Sequence, residues 1–205
     1  MALALMVSLG TPAAIHREAL LHLDAGQYAE AEKLCRGALP GFEGRYGPET
    51  LEVALVLADM ASAYRGEGNL AEAEKAARRS LSIVEQRLGP EDANTALALN
   101  RLAEIYFAGR RYAEAGRLLH RALETGERAL GPDHPHLATI LNNLAAVDYL
   151  QHHYAAAETL YRRALAIREK LLGPDHPHVL VIRHNLAELE RAWGPKQGAV
   201  LAFNR

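Results

Sequence analysis

Leu130-Gly131-Pro132-Asp133-His134-Pro135-His136 decides the fold, because it returns letter for letter as Leu172-Gly173-Pro174-Asp175-His176-Pro177-His178. The Gly-Pro pair inside it also stands at Gly47-Pro48 and Gly89-Pro90, so four pairs are spaced at a constant 42 residues. A second landmark keeps the same step: Tyr28, Leu70, Tyr112 and Tyr154, each followed three residues later by Ala31, Ala73, Ala115 or Ala157. No insertion breaks that register. An internal period of this size marks a repeat architecture, in which each unit is one supersecondary element.

The pieces between landmarks have helical periodicity. Leu99, Leu102, Ala103, Ile105 and Tyr106 share one helix face, as do Leu141, Leu144, Ala145 and Val147 one unit later. Gly131 and Gly173 permit the turn out of the preceding helix, while Pro135 and Pro177 suit the first turn of the next, where no N–H partner is lost. The second helix of the fourth unit runs from about Tyr154 to Leu171, burying Ala157, Leu160, Tyr161, Ala164, Leu165 and Ile167. Short bends, Glu67-Gly68-Asn69 and Gly109-Arg110-Arg111, join the first helix of a unit (helix A) to the second (helix B). One helix pair cannot bury its apolar face alone. Stacked pairs can, which predicts an all-α solenoid of tandem antiparallel helix pairs with helix A lining the concave face.

These residues resemble the tetratricopeptide repeat. Its helix-A pattern is present as Leu57, Met60-Ala61 and Tyr64, and again as Leu99, Leu102-Ala103 and Tyr106; a third copy, Leu141 and Leu144-Ala145, has Asp148 in place of the tyrosine. Its helix-B pattern is present as Ala115, Leu119, Ala122 and as Ala157, Tyr161, Ala164. The usual period is about 34 residues; the longer step here, with Leu-Asn-Asn-Leu-Ala and Leu-Gly-Pro-Asp-His-Pro, resembles the kinesin light chain type. The resemblance implies a right-handed superhelix of about four and a half repeats, with units at about 12–48, 49–90, 91–132, 133–174 and 175–193. Residues 1–11 read as an N-terminal arm or leading cap, and 194–205 as a short degenerate capping segment. The end units diverge: Glu18 stands where internal copies carry Leu or Met, and Arg183, Glu190 and Arg191 replace Leu141, Asp148 and Tyr149. The last helix B is expected to shrink to 196–205, with Ala199 and Phe203 matching Ala157 and Tyr161. Polar substitution at an end unit suits a solubilising cap; truncation of a longer array is the alternative.

Composition narrows the function. A formal net charge of −2 supplies no basic face to displace counterions from phosphates, which argues against nucleic acid and anionic membranes. The apolar start, Met1 to Gly10, lacks the positive charge of a secretory signal and falls short of the roughly 20 residues needed to cross a bilayer. A single cysteine, Cys35, forms no intrachain disulfide and reads as a small buried hydrophobe in a cytoplasmic protein.

Ten histidines raise the question of a metal. His134 with His136, and His176 with His178, lie near His152-His153, but zinc needs three or four converging ligands, and these clusters follow the repeat and so fall on successive units. Ser8, Ser62, Ser80 and Ser82 have no nucleophile-elbow context, and the Gly-Pro turns are not phosphate loops. Glu72, Glu74, Glu114 and Glu158 read as solvated helix exteriors. No catalytic, cofactor or metal site is expected.

The concave face remains. Counting from the Leu-Ala landmark places Asn100, Glu104 and Phe107 on it in one unit, with Arg101 beside them. The next unit contributes Thr139, Asn142, Asn143 and Tyr149, and the last His184 and Asn185, with Glu188 and Arg191. Asparagine suits an extended peptide because its amide both donates to and accepts from a backbone; Arg65, Arg101 and Arg191 suit carboxylates. Asn142 and Asn143 also have a purely structural reading, as bonds that set the repeat geometry. The expected function is a non-catalytic module that binds a partner protein or peptide in the groove. The alternative is a structural or regulatory segment acting through self-association into a homo-oligomer, and a remote one is a metal-dependent enzyme using the histidines.

Overall fold

In the computed structural model, residues 11–203 are described, with side chains through Gly194. They form nine helices and no strand: α1 Pro12–Asp24, α2 Tyr28–Tyr46, α3 Leu51–Gly66, α4 Leu70–Leu88, α5 Ala93–Ala108, α6 Tyr112–Leu130, α7 Pro135–Leu150, α8 Tyr154–Leu172 and α9 Pro177–Phe203. The chain divides into two compact units, Met1–Arg110 and Arg111–Arg205. In the first, α1 packs on α2, α2 on α3, α3 on α4 and α4 on α5, with α1 also touching α3 and α3 touching α5. In the second, α6 packs on α7, α7 on α8 and α8 on α9. This is the expected order of antiparallel pairs.

Helix starts follow from local chemistry. The Asp92 carboxylate accepts the Asn94 N–H at 2.8 Å, and Thr11 Oγ1 accepts that of Ala14 at 3.2 Å ahead of Pro12. His134 and His176 do the same work: each Nδ1 accepts the N–H two residues on, at 3.3 and 3.2 Å. Each of the four B helices, α2, α4, α6 and α8, ends on a glycine, Gly47, Gly89, Gly131 and Gly173, whose φ of 81–95° favours a residue without Cβ. Arginines then fasten the linker that follows. Arg79 pairs with Glu43 at 2.8 Å and donates to the Pro48 carbonyl at 2.9 Å; Arg163 repeats this with Glu127 at 2.5 Å and Pro132 at 2.6 Å.

The core is built from the landmarks. Ala31, Ala73, Ala115 and Ala157 are fully buried, as are Leu99, Leu119, Leu141 and Leu144. Fully burying one such leucine contributes about 2 kcal/mol. Leu160 and Leu165, expected in the buried stripe of α8, are only half-buried. The end unit also differs. A single helix runs from Pro177 to Phe203, without the bend that the sequence reading places before a short helix over 196–205. Ala199 and Phe203 lie outside the residues whose side chains are described.

The A–B bends share one left-handed residue: Gly26, Gly68, Arg110 and His152, 42 residues apart, at φ of 70°, 79°, 58° and 65°. Glycine takes this conformation freely, whereas a side chain costs roughly 1–2 kcal/mol. Replacing Arg110 by glycine should therefore raise stability by about 0.5–1 kcal/mol after the greater freedom of the unfolded chain is counted, and Gly68→Ala should lower it by about 1 kcal/mol. Urea unfolding of the two variants beside the parent measures both signs.

Candidate functional site

Within the first unit, α3, α4 and α5 enclose an open cleft of about 350 Å³. Leu51, Leu55 and Leu97 line it from the two A helices, and Val84 and Leu88 from the end of α4. Alanines 54, 58 and 98 form its floor, and Asn94 and Arg101 supply polar atoms. Leu51, Leu55 and Leu88 remain 39%, 53% and 37% exposed. At the corresponding place in the second unit Thr139 and Arg168 stand for Leu55 and Val84, Arg168 donating to Thr139 Oγ1 at 2.7 Å, while Val181 keeps an apolar side chain at the register of Leu97.

Beside the cleft lies a chain of polar contacts. Asp59 on α3 accepts from both neighbouring A helices: Oδ2 is 3.0 Å from His16 Nε2 on α1, and Oδ1 is 3.3 Å from Arg101 Nη1 on α5. The His16 and Asp59 side chains are each only 8% exposed, and His16 stands edge-on to Phe42 at 5.7 Å. Further along the face Arg65 lies 3.8 Å from Glu104. In the second unit the register held by His16 and Asp59 is taken by Asn142 and Asn185, joined at 3.1 Å.

The residues singled out from sequence thus have distinct surroundings. Asn100 is buried at 6% exposure, and its amide donates to Glu104 at 2.9 Å, one turn along α5. Arg101 and Glu104 are half-buried, both engaged with α3. Phe107, Asn143 and Tyr149 are half-buried; Thr139 and His184 are exposed, Thr139 held by Arg168. Asn142 and Asn185 fit the structural reading, bonding one repeat to the next. Sequence counting missed the leucines of the cleft. A signal existed: stepping back 42 residues from Thr139 reaches Leu97, and again Leu55.

Titratable groups in the core follow burial. The Cys35 thiol, fully buried on α2, is pushed up to about 12 by burial first and then by the charges of Asp59 and Glu32. Burial likewise pushes the Tyr161 hydroxyl up to about 12, with Tyr149 adding to it. Tyr64 donates to Glu32 at 3.1 Å and is raised by burial, then by that bond. Among the described residues no group of three His, Cys, Asp or Glu side chains is placed to hold a metal ion, and no helix is long and apolar enough to cross a membrane.

Tandem antiparallel pairs with alanine-packed seams define the helical-repeat class of protein. The tetratricopeptide repeat family matches residues 11–86, 94–170 and 154–205, and the chain belongs to that family. Its structural neighbours are kinesin light chain-like repeat proteins. A Podosopora anserina protein of nearly identical TPR-like repeats, described as a kinesin light chain, superimposes at TM-score 0.73 with 24% identity, over 95% of this chain and 94% of that one. BtubC (BKLC) from P. vanneervenii gives 0.75 with 27% identity, over 94% and 76%. RapI in its apo form gives 0.65 with 18% identity, over 80% and 44%. No curated protein sequence matches the chain. No enzyme family is indicated, and the fold is typically a protein–protein interaction module.

Two outcomes test these interactions. Asp59→Ala strands two buried or half-buried partners and should cost about 3 kcal/mol in urea unfolding, against about 1 kcal/mol for Asn142→Ala. Above about pH 9 the unfolded chain releases the Cys35 proton while the native chain holds it, so rising pH favours unfolding. The urea midpoint should fall between about pH 8 and about pH 10, and fall less in Cys35→Ala.

Proposed function

We propose that this chain is a non-catalytic interaction module that takes a segment of a partner protein on its helix-A face, with the α3–α5 cleft as the principal anchor. The observation that carries this reading is the cleft itself: a pocket of about 350 Å³ with an apolar floor and three half-exposed leucines around it. Leaving such surface in water is unfavourable, and partner binding removes it. Small alanines on the floor leave room for one or two apolar side chains of an incoming segment, the kind of central anchor that dominates interface energetics. Arg101 at the edge, and Glu104 and Phe107 further along α5, provide polar and aromatic contacts for the rest of that segment; in the second unit Thr139, Asn143, Tyr149 and His184 hold the corresponding A-helix positions, while Asn142 and Asn185 serve the repeat geometry. Asn100 acts indirectly, by holding the Glu104 carboxylate. A cytoplasmic location fits this reading.

Selection of a random peptide library on the purified protein tests the proposal. Enriched peptides should carry large apolar residues and should bind Leu55→Asp at least about tenfold more weakly, a loss of about 1.4 kcal/mol. Leu55 is more than half exposed, so far-UV circular dichroism of the variant should match the parent. Equal affinity for both proteins would refute the cleft, and failure to enrich any peptide would refute the module.

A further inference from the structure

The α3–α5 cleft has a matching segment in the chain itself. Met1-Ala2-Leu3-Ala4-Leu5-Met6-Val7-Ser8-Leu9-Gly10, which precedes α1, carries no charged side chain, and eight of its ten residues are apolar. Its branched residues Leu3, Leu5, Val7 and Leu9 stand at alternate positions, so an extended run presents all four on one side. The cleft suits such an edge. Its floor is alanine, leucines surround it, and its one ionisable lining residue, Arg101, already lies 3.3 Å from the Asp59 carboxylate. Nothing in that lining asks an occupant for a charge.

The repeat register brings the segment to the cleft. Pro12 and Ala13 hold in α1 the positions of Ala54 and Leu55 in α3, and both of those line the cleft. The chain therefore enters α1 at the level of the cleft, one repeat earlier. Pro12 is fixed there against Gly41, where a Cβ would stand 2.3 Å from the proline ring. α1 touches α3 directly, and packed helix axes stand roughly 8–10 Å apart. Nine extended residues reach about 30 Å, enough to pass α3 and run along the cleft. Apolar surface continues along that path: Tyr46, at the register of Leu88, is 44% exposed.

We propose that Met1–Leu9 occupies the α3–α5 cleft of its own chain and competes there with the partner segment. This rests on the reading of that cleft as the anchor site. Attachment to α1 holds the segment at a local concentration on the order of millimolar, so modest apolar contacts are enough to fill the cleft. The leucines of the segment and of the cleft then leave water together, with no charge buried. A partner binds only the molecules whose cleft is open, and its apparent affinity falls by that fraction.

Methyl NMR spectra of the full chain and of its Leu3→Asp/Leu5→Asp variant test the contact. The Leu55, Leu88 and Leu97 methyls should shift between the two proteins, while those of Leu119 and Leu141 in the second unit should stay. Peptides selected on the protein should bind the variant at least about fivefold more tightly, as follows if the cleft is open in about one molecule in five. Unmoved cleft methyls would overturn the proposal whatever the library yields, and so would equal peptide affinity. Shifts confined to Leu20 and Leu21 would put the segment on α1 instead, and cleft shifts that fade on dilution would put it in a second copy; either result also overturns it. Leu55→Asp keeps the two readings apart. If it weakens selected peptides while the cleft methyls ignore Leu3→Asp/Leu5→Asp, the anchor site stands and self-occupancy falls.

Discussion

Close approach of helix backbones at buried alanines is the constraint on which this structure depends. Ala19, Ala61, Ala103 and Ala145 on the A helices, and Ala31, Ala73, Ala115 and Ala157 on the B helices, are 0–1% exposed and keep a 42-residue step. Interaxial distance is set by the side chains at the contact, and alanine allows the shortest that retains helix propensity. A larger residue at one of these points would shift one helix against its neighbour, and every register-dependent contact beyond it would be lost. The Arg79–Glu43–Pro48 and Arg163–Glu127–Pro132 clamps join the same three positions two repeats apart because the alanines fix their frame.

Within that frame the polar contacts are free to differ, and they change in matched sets. Tyr64 donates to Glu32, and Tyr106, one repeat on, to Glu74 at 2.9 Å. In the next repeat the tyrosine is Asp148 and the glutamate is Gly116, so the bond is absent at both ends. Asp148 turns to His153 at 3.3 Å, while a Cβ on Gly116 would touch Val147. Retaining the glutamate without the tyrosine would leave a carboxylate at a buried position. The His16–Asp59 and Asn142–Asn185 pairs show the same logic, with an ionisable pair in one place and a neutral amide pair in the other.

The fold was legible because it is written four times. Gly-Pro punctuation, alanine spacing and the A–B bends are local signals, and repetition separated them from noise. The face used for binding was harder to read. Counting positions along one helix places Asn100 on the inner side, but it does not reveal that the side chain is buried and spent on Glu104. The cleft depends on Val84 and Leu88, contributed by the last turns of α4, and on leucines that look like ordinary core residues in a strip of sequence. The helix running from Pro177 through the Gly194-Pro195 step was also not legible, since Gly-Pro marks a turn at every earlier occurrence.

Recognition by such a scaffold resides in what lines it. The register that carries Leu55 and Leu97 carries Thr139 in the second unit, where Arg168 holds the hydroxyl and takes the place of Val84 two repeats earlier. Val181, one repeat after Thr139, keeps an apolar and 54% exposed side chain, so the change falls on one helix and its arginine neighbour and not on the whole unit. The two places therefore differ in what each could cover at low cost: the leucines of the α3–α5 cleft lose nothing by meeting an apolar group, whereas an apolar group set against Arg168 would strip water from a guanidinium. The shared helical frame leaves that difference to a few substitutions at one face position.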